Sequence, residues 1–440
     1  MKKITFVILL LITISGCAQT TKLIPYRDGE KWGFCNQKKK IIIPCIYESA
    51  KPFKKGLADV ELDEKHGLIN EKGEIVVPIE HHSLAISGDF IIVDNNFSFS
   101  DEGKGVLDLT GKVIVPIKHG LVEGPKEGVF IVDEGFYYHD SNIGAYDIEG
   151  NLIIPYQYDN IEPFQEGFAV YNKDGQYGYL NKQGEVVFDA KFEYAKSFSE
   201  GLAVVRLDGK ECVINQKGEV VISGNFESIG DWDGDFSHGL AAATIQSEDE
   251  NNTGFINTNG ELVIPYQFES VRAFKKGYSV VRKNALRGLI DTEGEFILPR
   301  EYKSIKVQND DVIIVKKKGE YYLEYSEGIY NNLGEKILPL EYKISDFNNG
   351  LAPIGKDGKF GYINEKGEIV IPIKYDSVDD FLYDYAKVSL DGKTGCIDKE
   401  GNEIVPLKYQ SDQFSIENNG LFKIGGKGYI DINGNEYWND

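Results

Sequence analysis

The stretch GYINEKGEIVIP, running from Gly361 to Pro372, decides the fold. Asn364 to Gly367 reads as a chain reversal. Asparagine suits the first position of a type I turn, and glycine supplies the left-handed conformation that closes a hairpin with a bulge. The run Glu368-Ile369-Val370-Ile371 is short and β-branched, which favours a strand. Pro372 lacks the N–H that a ladder needs, so the strand is expected to end there.

The phrase recurs as GFINTNGELVIP from Gly254 and GLINEKGEIVVP from Gly67, with looser copies at Gly33, Gly105, Gly144, Gly178, Cys212, Gly288, Gly328, Gly395 and Gly428. We number these twelve copies as repeats 1 to 12. Most starts lie 33 or 34 residues apart, and a few are 38 to 42 apart. The turn glycine is kept in eleven copies, and Lys39 replaces it in repeat 1. Three residues after the proline stands an aromatic, as in Tyr47, Tyr158, Phe268 and Tyr375, with Phe192 and Phe226 in copies whose proline is Asp189 or Ser223. A Phe-x-x-Gly-Leu-Ala step follows, as at Phe198 to Ala203, and leads into an apolar strand. That strand often turns at Asp-Gly, as at Asp174-Gly175, Asp208-Gly209, Asp357-Gly358 and Asp391-Gly392, a strong two-residue hairpin signal.

One unit is therefore a three-stranded antiparallel meander of about 34 residues plus a connector. Its strands are apolar on both faces, so a unit must stack on its neighbours. No stretch keeps a helical period, and the fold class is all-β. Two arrangements of such units are open: an open β-solenoid or superhelix, and the blades of a β-propeller. Uneven spacing and a short last copy favour the open array, because a ring needs a fixed blade count.

The chain has 70 Asp and Glu against 48 Lys and Arg, a net charge of −22. That excess argues against a nucleic-acid partner, which needs a basic face, and against electrostatic adhesion to anionic lipid. Met1-Lys2-Lys3 is a short basic start, and Ile4 to Ile14 is an apolar run of 11 residues. It is too short to span a bilayer, which takes roughly 20 residues, and fits a signal peptide over residues 1–16.

Ile14-Ser15-Gly16-Cys17 resembles the lipobox of bacterial lipoproteins. The resemblance implies cleavage before Cys17, acylation of Cys17 with palmitate as one expected chain, and a lipidated tether over residues 17–22. Ala18 after the cysteine implies the outer membrane by resemblance to Gram-negative sorting. The remaining residues, 23–440, form the repeat array. Lys31-Trp32-Gly33-Phe34, with Gln176-Tyr177-Gly178-Tyr179, Lys359-Phe360-Gly361-Tyr362 and Lys427-Gly428-Tyr429, resembles the WG-repeat (KWG-repeat) proteins. Trp32 alone stands before a glycine in this way. The family implies bacterial repeat proteins of variable copy number and carries over no catalytic residue.

Candidates for chemistry are few. Cys35, Cys45, Cys212 and Cys396 form no CxxC or CxxH cluster, so zinc is not expected; Cys35 and Cys45 flank one hairpin and could pair in an oxidising compartment. His81 and His119 take the aromatic slot and His66 the slot before the phrase glycine, so all three read as packing residues, while His238 holds a turn position and His139 an insertion. None has a nucleophile partner at recurrent spacing. Asp231-Trp232-Asp233-Gly234-Asp235 places Phe236 and Ala242 where a calcium loop needs Gly and Glu. Insertions carry Phe136-Tyr137-Tyr138, Ser247-Glu248-Asp249-Glu250 and Tyr321-Tyr322-Leu323-Glu324-Tyr325, and insertions in repeat arrays often project from the binding face.

The sequence thus reads as a lipid-anchored envelope protein whose repeat surface binds a protein or glycan ligand without catalysis. It implies no cofactor or metal, and its membrane contact is through Cys17. The rival readings are a glycan-active enzyme on a β-repeat frame and a purely structural envelope protein.

Overall fold

The computed structural model describes residues 23–95, 103–134, 142–230, 236–246, 252–308, 312–318, 325–418 and 420–439. Cys17, His139 and the segments 136–138, 231–235, 247–250 and 321–324 lie outside the described residues. Among those described there is no α-helix, and the one helical turn, Ser411–Gln413, is 3-10. The rest is a succession of small sheets. Repeat 11 shows the plan: Ser377–Val378, Tyr385–Leu390, Lys393–Asp398 and Glu403–Tyr409 lie side by side, each antiparallel to the next. The connector expected between meanders thus supplies a fourth, two-residue edge strand.

The turn of the phrase is built as its residues require. In repeat 10 the Gly367 N–H donates to the Asn364 carbonyl at 2.9 Å, and Gly367 sits at φ +77°. The Asn364 side-chain oxygen accepts from the Lys366 and Glu368 N–H groups, and its amide donates to Glu368 Oε2 at 2.8 Å. In three of the copies whose first turn residue is an acid, the partner four residues on is an asparagine that donates back: Asn151 to Asp147, Asn402 to Asp398 and Asn435 to Asp431. Lys39, replacing the turn glycine in repeat 1, adopts φ +59°. The Asp-Gly turns have positive φ at both residues, for example +53° at Asp174 and +77° at Gly175, as a type I′ hairpin demands.

The proline does not end its strand. Ile369–Tyr375 runs straight through Pro372, which is exposed at a bulge where no ladder N–H is needed. Phe360 pairs with Tyr375 and Tyr362 with Ile371, so the outer strand carries extra residues between those pairs. The phrase glycine fits under this bulge. A Cβ on Gly361 would lie 2.4 Å from the Ile371 carbonyl oxygen. Repeat 5 lacks the proline but keeps Gly178, and keeps the bulge between Tyr177 and Tyr179. Repeat 6 lacks the glycine, and there Cys212 and Val213 pair with Ser223 and Ile222 in unbroken register. Glycine, not proline, is thus the residue that accompanies the bulge.

Neighbouring sheets pack through shared apolar clusters. Tyr179 of repeat 5 meets Ala203 and Val205 of repeat 6. Leu351 and Tyr362 of repeat 10 meet Ala386 and Val388 of repeat 11, and Cys396 and Val405 of repeat 11 meet Phe414 and Phe422 of repeat 12. The larger of these, such as Val205, Leu351, Val388 and Phe422, contribute about 1.5–3 kcal/mol each on burial. Turn glycines add to this stacking, since a Cβ on Gly367 would lie 2.4 Å from Ile337 Cγ2 of the preceding repeat.

The two ends meet. Ile24–Asp28 pairs in parallel with Glu436–Asn439 through Arg27–Trp438 and Asp28–Asn439. The Asn439 amide donates to Asp28 Oδ1 at 3.1 Å, and the Gly29 N–H to the Asn439 carbonyl at 3.2 Å. Trp32 packs edge-on against Tyr429 with centroids 5.7 Å apart. One buried cluster joins Leu421, Tyr429 and Tyr437 to Trp32, Phe34, Tyr47 and Val60. An open array leaves both terminal repeats free, and here they are not. The uneven spacing that argued for openness comes from the four repeats that contain segments outside the described residues, while the sheets themselves keep one strand plan. Spacing therefore says nothing about the ends.

Candidate binding groove

The short edge strands set out one position in each repeat. The residue after the two-residue strand turns its backbone to the next strand, as when the Lys196 N–H donates to Val204 and the Arg272 N–H to Val280. The side chains there form a column: Glu162 in repeat 5, Lys196 in repeat 6, Arg272 in repeat 8, Lys306 in repeat 9 and Asp379 in repeat 11. Its basic sector opens on a groove of about 1660 Å³, lined by residues between Gln165 and Val307.

The groove inverts the charge of the molecule. Seven Lys and Arg side chains line it against three Glu. The three carboxylates are already engaged. Glu193 accepts from the Gly209 N–H at 2.9 Å. Glu200 accepts from the His238 and Gly239 N–H groups at 2.8 and 2.9 Å. Glu211 is buried, paired with Arg206 at 2.9 Å, and accepts from the Ile229 N–H at 2.7 Å. Among the cations, Arg287 donates to the Lys303 carbonyl and Lys306 pairs with Asp346. Among the described residues, neither Lys275 nor Lys303 has an ion-pair partner. Glu162 lies beside this sector, where burial pushes its carboxyl above the usual range despite the hydrogen bond from Ser197.

A ladder of turns stiffens the rim. Both Glu127 oxygens accept from the Glu166 and Gly167 N–H groups, and both Glu166 oxygens from Glu200 and Gly201. Glu200 does the same for His238 and Gly239, and His238 Nε2 accepts from the Gly277 N–H at 3.0 Å. Each acid satisfies amides of the next repeat, in charge-assisted bonds stronger than neutral ones. Lys182 beside Glu127 holds that carboxyl below its usual range.

The slot before the phrase glycine does similar work. Trp32 fills it in repeat 1. In three copies a charged side chain in this slot reaches backbone: Glu211 to Ile229, Arg287 to Lys303, Glu327 to the Ile344 N–H at 2.7 Å.

The residues singled out by sequence lie apart from one another. His81 and His119 are buried in the aromatic slot; His119 stacks on Tyr156 and its Nδ1–H donates to the Asp133 carbonyl. Burial lowers its pKa. His66 is half-buried and bonds Asp59 at 2.8 Å, which also holds Lys51 at 2.7 Å. The four cysteines of the array are free thiols, so Cys35 and Cys45 are not joined, and burial pushes Cys35 up to about 12. Among the described residues no cluster could hold a metal ion, and no helix is long and apolar enough to cross a membrane. The groove was missed in the sequence because its cations are dispersed. The signal is the connector position just described, basic at Lys196, Arg272 and Lys306 and acidic at Glu162 and Asp379.

A search of curated proteins finds no match. Among solved structures, one described as the eukaryotic initiation factor is 10% identical with a TM-score of 0.38, over 72% of this chain and 95% of its own. The extracellular domain of a putative hybrid two-component system from B. thetaiotaomicron is 10% identical with a TM-score of 0.20, over 93% of this chain and 73% of its own. PorZ, a surface component of the type-IX secretion system of Porphyromonas gingivalis, is 9% identical with a TM-score of 0.20, over 92% and 84%. Scores this low carry no argument about this chain. The family model described as "WG containing repeat" matches residues 32–65, 143–177, 177–210, 213–245, 254–286, 288–321, 328–360, 360–393 and 395–427. These segments make up more than half of the chain, and the protein is a member of the WG-repeat family.

Proposed function

We propose that this protein is a non-catalytic binding scaffold, held at an envelope membrane through a lipid on Cys17 and closed on itself by the pairing of its terminal repeats. The groove between Gln165 and Val307 is its binding surface for a glycan or protein ligand. The observation that carries this reading is the state of the groove's acids. Glu200 and Glu211 spend both oxygens on backbone amides and Arg206, and Glu193 spends one on the Gly209 N–H. An acid so engaged is a poor proton donor or nucleophile, whereas hydrolysis of a glycan bond calls for two carboxyls facing one substrate. The leader and Ile14-Ser15-Gly16-Cys17 support the anchor.

The test uses the full chain incubated with isolated cell envelopes from cells lacking the protein. Retention on the envelopes with no release of reducing ends or free amines is expected. Steady release over background, abolished by replacing a groove acid with its amide, contradicts the reading. Cys17→Ala is expected to move the chain from the membrane pellet to the soluble or precursor fraction and to abolish palmitate labelling.

A further inference from the structure

We infer that the ligand of this groove is an acidic polysaccharide with widely spaced carboxylates, such as a uronate-bearing chain; the inference rests on the binding reading above. Charge comes first. A protein of net charge −22 repels polyanions over most of its surface, yet here seven cations face three acids, two of which have both oxygens taken up by the fold. Lys275 and Lys303 stand on this wall without an ion-pair partner among the described residues, and Arg272 and Lys275 are exposed. Low-dielectric walls lined by one sign of charge focus the field into the cleft.

The spacing of the cations selects the kind of anion. Lys196, Arg272 and Lys306 occupy one position in repeats 6, 8 and 9, so each repeat offers at most one cation of this column. Stacked sheets lie about 10 Å apart, so these charges recur far more sparsely than the phosphates of nucleic acid, one per ~1.7 Å of duplex. A dense polyanion would bring most of its charge against the surrounding acidic surface. A polysaccharide carrying one carboxylate per sugar or per pair of sugars would not.

The rest of the lining suits sugars rather than an acidic peptide. The exposed ring of Tyr194 and the half-buried ring of Tyr278 offer apolar faces, and Ser228 and Ser304 offer hydroxyls between the cations. A peptide would gain most by adding a strand. The edge strands that line the groove are short, two residues at Tyr194–Ala195 and four at Phe226–Ile229 and Ser304–Val307, which gives an added strand little to pair with.

The experiment is calorimetric titration of the full chain in detergent with polygalacturonate, uncharged dextran, polyglutamate and single-stranded DNA. Polygalacturonate is expected to bind, to weaken steeply with salt, and to lose about tenfold in affinity in Lys275→Gln/Lys303→Gln. Both lysines are on the surface, and Lys366→Gln, on an outer turn away from the groove, is expected to bind as the wild type does. Tighter binding of polyglutamate or DNA than of polygalacturonate overturns the polysaccharide assignment and leaves a binding groove standing. Equal binding by the double variant overturns the groove as the site. No binding to any polyanion overturns the inference, and the envelope-retention assay then decides separately whether the scaffold reading survives.

Discussion

Two seven-stranded sheets in this molecule share one plan and differ in how their middle strand is connected. In the internal one, Lys336–Ile344 is central, pairing antiparallel with Tyr325–Tyr330 on one side and with Leu351–Lys356 on the other. In the terminal one, Glu436–Asn439 is central, pairing antiparallel with Gly428–Asp431 and parallel with Ile24–Asp28. The first join is covalent and its cluster is aliphatic: Val312, Ile314, Ile329, Leu338, Ile354 and Ile363. The second has no chain across it, and its cluster holds Trp32, Phe34, Tyr47, Tyr429 and Tyr437. Aromatics bury more area per residue and have preferred edge-on contacts. Side chains therefore make the terminal join where the chain itself cannot, and the one Trp-Gly copy is the copy that needs it.

The largest effect is expected from breaking the terminal join at its centre. Trp32→Ala removes a side chain only 8% exposed and should cost about 3–5 kcal/mol. Limited proteolysis should then cut first near the two ends, while the sheet centred on Lys336–Ile344 stays protected. Uniform loss of protection would mean that the ends are not a separate unit.

Next come the turn glycines. Gly367 combines φ +77° with a Cβ path 2.4 Å from Ile337, whereas Gly434 has φ +78° and nothing within 4 Å. Gly367→Val should lose about 1–3 kcal/mol to backbone strain and a further ~1–3 kcal/mol to overpacking. Gly434→Val should lose only the first part. Equal urea midpoints for the two variants would remove the packing role of the internal turn.

Smaller still is a gain along the rim. His238 gives the next repeat one acceptor where Glu127, Glu166 and Glu200 each give two. His238→Glu should add about 0.5–1.5 kcal/mol by restoring the second hydrogen bond, read as a higher thermal midpoint. A fall instead would show that the ladder does not extend to repeat 8.

The smallest expected effect concerns Glu162, whose carboxyl burial raises in the folded chain. Its contribution to stability is fully present below the unfolded carboxyl value, about 4.3, and is lost as pH rises through the folded one. Glu162→Gln should therefore match the wild type at pH 3 and exceed it modestly at neutral pH. A variant less stable at neutral pH would place a needed charge there.

Much of this architecture is legible in single residues. Asn364 and Gly367 announce the turn, Asp357-Gly358 the hairpin, and the aromatic slot at Tyr375 is the cross-strand partner of Phe360. The exchange of Asn364 with Glu368 for Asp398 with Asn402 is also readable, once the side-chain bond between the two positions is known. The strand through Pro372 was not legible, because the bulge that tolerates proline is set by the close approach of Gly361 across the hairpin. The terminal pairing joins residues some 400 apart and leaves no local periodicity. The groove was hidden because one cation per repeat looks like surface noise until the sheets bring the column together.

The pairing of the ends is tested most directly by a cross-link. Asp28 and Asn439 are register partners across the parallel pair, and neighbouring strands lie about 4.7–4.9 Å apart, within the Cα separation a disulfide accepts. In Asp28→Cys/Asn439→Cys, mild oxidation should give a near-quantitative intramolecular disulfide that shifts mobility on a non-reducing gel and raises the thermal midpoint. The test is made in a Cys45→Ser background, because Cys45 is half-buried near Asp28, whereas Cys35, Cys212 and Cys396 are buried. If both introduced thiols stay free after oxidation, or link only between molecules, the terminal repeats do not meet and the array is open.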